Sequence, residues 1–371
     1  MNQSESPITL EILNREEIIE RIPTTVYLSL VMFMGIFGNT LVILIYFGSL
    51  WKLEGAHWTF IRTISIVDFL ICTVVIPFEF YQQTHQLIFY NESACKILRM
   101  ISVHLSVMAS LLLVMMSANR LYRVVWPLKV PFSSRQALFS VIIVGLAITA
   151  VSWPEGKLSG INLKKLRNNI TGYDCDLADS YKHTIYIVVY SIVLLVGFLA
   201  CVTSLIMIYA FIGQKLRRRG HFKSTNSSQP PTDVSVESSL GSVEVENESY
   251  VSSNRNVEQK LKSKHFGTKS THKQRKTTKS NRESIKVTKI AFVISIAFIL
   301  SYLPYLAVKL TAALSNGQHT ANSFVTSIFS ILSRFFLINN IINPFVYVCL
   351  DQTFRRQCKR LLLCTHIRKL H

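Results

Sequence analysis

Seven stretches of the chain are apolar for long enough to cross a hydrocarbon layer ~30 Å thick, which takes ~20 helical residues. They cover roughly residues 26–48, 58–82, 95–125, 137–154, 182–213, 288–312 and 323–349. The alternating pattern of a membrane barrel is absent, and an open strand would leave its backbone unsatisfied in lipid. The pattern therefore predicts an all-α fold, a bundle of seven transmembrane helices. The fourth run, ALFSVIIVGLAITAVSW, is the shortest and carries no charge. Between the fifth and sixth runs, residues about 217–284 are polar and rich in Ser, Thr and Lys. A segment with so few large apolar side chains cannot bury a core, and a disordered loop is expected there. After the last run, DQTFRRQCKRLLLC sets Phe354, Leu361 and Leu362 among basic residues. That is the pattern of a short amphipathic helix lying on a membrane surface. The chain is thus divided into a segment 1–25, a seven-span domain 26–350, and an amphipathic helix with tail, 351–371. No internal repeat is visible.

Charge fixes the expected orientation. Hydrophobic residues make up 49% of the 371 and charged residues 16%, yet the net charge is +19. A soluble nucleic-acid binder would also be basic, but would not carry repeated apolar runs of bilayer length; no nucleic-acid partner is expected. Residues 215–289 hold 17 Lys/Arg against 7 Asp/Glu, and residues 351–371 hold 6 against 1. The clusters Lys215 to Arg219 and Lys286 to Lys289 lie at span ends, where basic residues mark the cytoplasmic side. The C-terminus is then cytoplasmic and the N-terminus extracellular. The start of the chain is polar and acidic, so no cleavable signal peptide is expected, and the first span would act as the insertion signal. Of the glycosylation sequons, this topology exposes Asn2, Asn91 and Asn169 outside and hides Asn226 and Asn247.

Particular residues sharpen the picture. The last span reads Asn339, Asn340, then NPFVY: Asn343, Pro344, Phe345, Val346, Tyr347. A proline in a membrane helix frees a carbonyl and bends the helix. The second span places Asp68 in mid-membrane, where a carboxylate costs ~2.5–3.5 kcal/mol on insertion scales. The first span carries Asn39. Cys95 opens the third span and Arg120 closes it, ~37 Å apart at 1.5 Å per residue, about one membrane thickness. ANRLYRVVWPL follows. Together these resemble the rhodopsin-type (class A) G-protein-coupled receptors, over about residues 26–364 without the long loop. The resemblance implies a cell-surface receptor at the plasma membrane. An extracellular ligand would activate a heterotrimeric G protein, with no enzymatic activity of the receptor itself.

The resemblance also implies roles. Cys95 and Cys175 would form an outer disulfide; the other cysteines fall within spans or at or beyond the last one. Asp68, Asn339 and Asn343 would hold a sodium ion as allosteric modulator; the plainer alternative is a neutral Asp68 hydrogen-bonded in the bundle. No other cofactor is expected. Arg120, Tyr209, Phe298, Tyr302, Pro304, Asn343, Pro344 and Tyr347 would serve activation and coupling: the inner ends of the third and sixth helices part and the arginine reaches the G protein. Arrestin and receptor kinases would act on the Ser/Thr-rich loop. Cys358 and Cys364 are palmitoylation candidates or free thiols.

The sequence departs from the family at several places. Asn119 stands for the acid before the arginine and Leu121 for the tyrosine after it. Tyr302 replaces the switch tryptophan, Cys201 the proline of the fifth span, and Gly145 or Val144 the tryptophan of the fourth. Asn119 cannot make an ion pair with Arg120, although a hydrogen bond is open to it. Amine receptors carry an Asp seven residues after the rim cysteine; here it is Ser102. The expected ligand cavity gathers Glu79, Ser102, Val103, Ser106, Tyr305, Lys309, Phe329 and Ser333. Such a mixed, charged lining suits a neuropeptide or peptide hormone. The alternatives are a receptor for a non-peptide small molecule or lipid, and a transporter, although the repeats and half-helices of transporters are not seen.

Overall fold

In the computed structural model, residues 9–48, 55–166, 170–182, 184–227, 286–311 and 323–368 are described. Long helices dominate: α1 (Leu10–Phe47), α2 (Ala56–Thr84), α3 (Glu92–Val125), α4 (Ser134–Leu158), α5 (Ile185–Ser227) and α6 (Lys286–Thr311). Each of these six is long and apolar enough to span a bilayer. The seventh span is a broken pair, α7 (Ser323–Leu332) and α8 (Asn339–Leu350), bent by 49°. A final helix, α9, covers Gln352–Arg368. The described residues up to Ile212 and from Ile290 onward form one compact unit, the bundle, and those within Gly213–Lys289 belong to another.

Two boundaries differ from the hydropathy reading. α1 starts at Leu10, well before residue 26. Its added turns are polar but anchored: Asn14 donates to the Thr84 carbonyl at 3.1 Å and accepts from the Leu87 N–H at 3.1 Å. α5 continues to Ser227, past the expected loop start at about 217. Residues 228–285 lie outside the described residues, with most of the expected loop, as do Asn2, Asn169 and Asn247.

Local chemistry places the ends and bends. Asn91 caps α3 by accepting the Ala94 N–H at 2.9 Å, and Ser133 with Gln136 forms a capping box on α4. In α2 a π turn, Ile71–Val75, precedes Pro77. Proline offers no N–H to the Thr73 carbonyl, and the wider turn absorbs the misfit. At the break in the seventh span, the Tyr27 hydroxyl reaches the Arg334 and Phe335 carbonyls at 3.3 and 3.4 Å, and Asn340 donates to the Leu337 carbonyl at 2.9 Å. These bonds satisfy groups that a straight helix would pair internally.

The core is one apolar cluster running through the bundle, with Leu28, Ile64, Leu112, Ile294, Phe298 and Tyr347 among its buried members. Gly35 lets α1 come close to α2 and α8: a Cβ there would meet Cys72 Sγ at 2.2 Å. Outward faces stay apolar and exposed, as at Phe33, Phe139, Val196 and Leu300, which suits contact with lipid. α9 is pinned by Phe354, almost fully buried against the rings of Tyr46 and Tyr347.

Candidate functional site

At the Cys95 end of the bundle, an antiparallel hairpin of β1 (Ser159–Lys165) and β2 (Thr171–Leu177) joins α4 to α5. A disulfide links Cys175 of β2 to Cys95 at the start of α3. Gln82 donates to the Cys175 carbonyl at 3.1 Å, and Tyr173 exchanges backbone hydrogen bonds with Leu87 and Phe89. The hairpin is thereby fixed to α2, α3 and the loop between them.

Below the hairpin the charged residues come in pairs. Arg334, at the break of the seventh span, donates from Nε to the Glu79 carboxylate at 2.8 Å. Its Nη1 contacts the Ser330 carbonyl and the Ser330 and Ser333 hydroxyls at 3.1–3.3 Å. Arg99 of α3 donates to Glu155 of α4, with contacts at 2.9 and 3.0 Å, and to Ser159 at 3.0 Å; Asp176 lies 3.7 Å away. Lys309 sits 5.8 Å from the Tyr305 ring centre. Ser102 spends its hydroxyl on the Leu98 carbonyl at 2.7 Å. Val103 and Ser106 are half-buried on α3, and Phe329 is half-buried on α7. The structure thus brings Glu79 and Ser333 together on Arg334, and sets Tyr305 against Phe336 two residues on. It adds Arg99, Glu155 and Asp176, which counting loop charges does not single out.

In the middle of the bundle, Asn343 donates to Asp68 at 2.6 Å, and both are buried. Asn39 donates to the Asn340 carbonyl at 2.8 Å, tying α1 to α8. Asp68 Oδ1, Asn343 Oδ1 and Asn339 Oδ1 are buried without hydrogen-bond partners among the described residues. Oxygen acceptors, one of them a carboxylate, are the donor set of a hard cation. Pro344 and Tyr347 follow on the same helix, both buried. Tyr302 lies in an aromatic group with Phe198, Phe298, Tyr305 and Phe336, at centroid distances of 4.8–6.5 Å; Pro304 is half-buried beside it.

At the other end, Arg120 is buried, and its Nε and Nη2 have no hydrogen-bond partner among the described residues. Both polar atoms of the Asn119 side chain are likewise unpartnered, so the hydrogen bond open to Asn119 in sequence is not made. One turn away, the hydroxyls of Ser117 on α3, Tyr209 on α5 and Ser295 on α6 form a triangle with sides of 3.0, 3.3 and 3.4 Å. Only Tyr209 of these stands out in the sequence, because serines of membrane helices usually bond their own backbone.

Residues 38–347 match the model of the seven-transmembrane receptors of the rhodopsin family. The chain belongs to this family. A receptor of this family couples an extracellular ligand to a G protein, and the protein is multi-pass in the membrane. The chain is 24% identical over 345 residues to octopamine receptor beta-2R of Chilo suppressalis, covering 92% of this receptor and 79% of that one. It is 23% identical over 364 residues to the G-protein coupled receptor moody of Drosophila melanogaster, covering 92% of this receptor and 51% of moody. It is 26% identical over 227 residues to dopamine receptor 3 of Caenorhabditis elegans, covering 60% of this receptor and 35% of the relative. This receptor therefore spans only about half, or a third, of the last two. Two of the relatives are named for small amines, which turns the ligand question away from the peptide expected of a mixed, charged lining.

Proposed function

We propose that this receptor takes a small, non-peptide ligand between α2, α3, α6 and the seventh span, at the Cys95 end, and activates a heterotrimeric G protein at the Arg120 end. The Cys95 end faces the outside and the Arg120 end the cytoplasm, in keeping with the basic clusters at Lys215 to Arg219 and Lys286 to Lys289. The observation that carries the ligand class is the pairing of charges. Glu79 and Arg334, and Arg99 and Glu155, neutralise one another. The names of two relatives point the same way.

Arg120, Tyr209, Phe298, Tyr302, Pro304 and Tyr347 carry the signal inward on this reading. Asp68 with Asn339 and Asn343 would hold a sodium ion, supplying charge compensation for the buried carboxylate. The test is nucleotide exchange on purified heterotrimeric G protein, with the receptor in lipid discs, against panels of small amines, amino acids, lipids and secreted peptides. Activation by a small molecule, lost in Arg120→Ala with binding kept within a few fold, is expected. Activation by peptides alone would overturn the ligand class, and full signalling by Arg120→Ala would overturn the coupling role.

A further inference from the structure

The small-ligand reading leaves open how a ligand's charge is met, and the pairing of Glu79 with Arg334 constrains the answer. Ser102 carries no charge, and its hydroxyl is already committed to the Leu98 carbonyl. An ammonium group must therefore find another carboxylate. Beyond Asp68, the carboxylates of α2 and α4 are Glu79 and Glu155, and each already holds an arginine. The two pairs are not equally firm. Arg99 is held by Glu155, Ser159 and Asp176. Arg334 meets Glu79 through Nε alone, while its Nη1 rests on neutral serine oxygens. The Glu79–Arg334 contact is the one a ligand can exchange.

Both partners are three-quarters buried or more, with side-chain exposures of 20% for Arg334 and 23% for Glu79. A monocation that took Glu79 would strand the Arg334 guanidinium, and an anion that took Arg334 would strand Glu79. Leaving one member of a buried pair without its partner is strongly unfavourable. A ligand carrying both charges on neighbouring atoms strands neither: its ammonium replaces the guanidinium on Glu79, and its carboxylate takes the guanidinium. Phe336 lies two residues beyond Arg334 in the chain, and its ring is 5.3 Å from those of both Tyr302 and Tyr305.

We propose that the ligand is a small zwitterion of the α-amino-acid type with an aromatic side group, and that Glu79 and Arg334 are the pair that selects it. This rests on the small-ligand reading above. The test uses matched probes that differ only by a carboxylate: tyrosine against tyramine, tryptophan against tryptamine, and phenylalanine against phenethylamine. The full receptor in lipid discs is read by thermal midpoint and by nucleotide exchange on G protein. At least one amino acid is expected to stabilise the receptor and to act at concentrations about tenfold or more below its amine, a difference of about 1.4 kcal/mol or more. Glu79→Gln and Arg334→Gln are each expected to weaken that amino acid about tenfold or more, compared at matched surface expression. The reciprocal exchange of Glu79→Arg with Arg334→Glu regains part of the loss, and serves where a single variant folds poorly. Amines equal to or better than the amino acids in every pair overturn the proposal and leave the small-ligand reading standing. So does an amino-acid response unchanged in both single variants. No binding by any of the six probes also overturns it; activation by peptides alone would remove the small-ligand reading itself.

Discussion

Ser295→Ala should raise signalling in the absence of ligand. The restraint that the family's acid–arginine pair would supply is missing, since Asn119 has neither charge nor a hydrogen bond to offer Arg120. The cross-helix polar contacts near Arg120 are instead those of the hydroxyl triangle. Ser117 and Ser295 are almost fully buried, so these bonds do not compete with water. Ser295→Ala removes two sides, at 3.3 and 3.4 Å, together with the 2.9 Å bond that Ser295 donates to the Ala291 carbonyl of its own helix, and leaves the 3.0 Å contact between Ser117 and Tyr209. Both lost sides are long for hydroxyl pairs, whose usual distance is about 2.7–2.8 Å. With the Ser295 proton on the Ala291 carbonyl and one of the other two protons in the Ser117–Tyr209 bond, the two lost sides share one proton and contribute about 1 kcal/mol. On the proposed coupling, activation would part α3 from α6 at this end, and the loss would then fall on the resting state. A shift of about 1 kcal/mol multiplies a small active population about fivefold. The assay is ligand-free nucleotide exchange at matched receptor density. Ser301→Ala is the control: it is equally buried on α6 but bonds only the Phe298 carbonyl of its own helix, at 2.8 Å. An unchanged basal rate in Ser295→Ala, or an equal rise in Ser301→Ala, would refute the reasoning.

Asn119→Asp should lower basal exchange about tenfold by giving Arg120 a buried ion pair of about 1.4 kcal/mol in the resting state; an unchanged or higher basal rate would mean that the pair does not form. Cys95→Ser or Cys175→Ser should cost about 2–5 kcal/mol and most of the surface expression, whereas Cys201→Ser, outside the bridge, should leave expression near the parent level. Glycan mapping should find sugar at Asn91, exposed at the start of α3 and capping through its Oδ1 so that its amide nitrogen is free; sugar at Asn226 or Asn247 would invert the topology.

Elements held together by their own sequence were the legible ones. Seven apolar runs become seven spans because length and hydropathy alone decide what lipid accepts. Asp68, Asn39 and Asn343 stand out because polar groups are rare in such runs, and the structure joins two of them directly. Phe354 stands out in a basic stretch, and it is the residue buried beneath α9. Elements fixed by distant partners were not legible. Residues 10–25 read as a polar extracellular segment because their charges end the hydropathy signal. They are helical where Asn14 meets Thr84 and Leu87, some 70 residues away. The 49° bend in the seventh span falls at Ser333 and Arg334, a polar pair that does not by itself announce a break, and Tyr27, Arg334 and Asn340 show how carbonyls there are satisfied.

The ligand site shows how far cross-bundle pairing changes a chemical inference. Taken singly, Glu79, Lys309 and Arg334 are a scatter of charges around a cavity, and free charges of both signs suit a peptide that answers each with its opposite. Glu155 reads as one loop acid balancing one loop lysine. No spacing in the chain connects it to Arg99, 56 residues earlier, or connects Glu79 to Arg334, 255 residues later. Once paired, the same charges make a different demand. A ligand gains nothing by approaching a carboxylate that already holds a guanidinium unless it replaces what it displaces. Selection then falls on the spacing of the ligand's own two charges rather than on its length or net charge. A short dipolar molecule meets that condition at Glu79 and Arg334, and a long chain with separated charges does not.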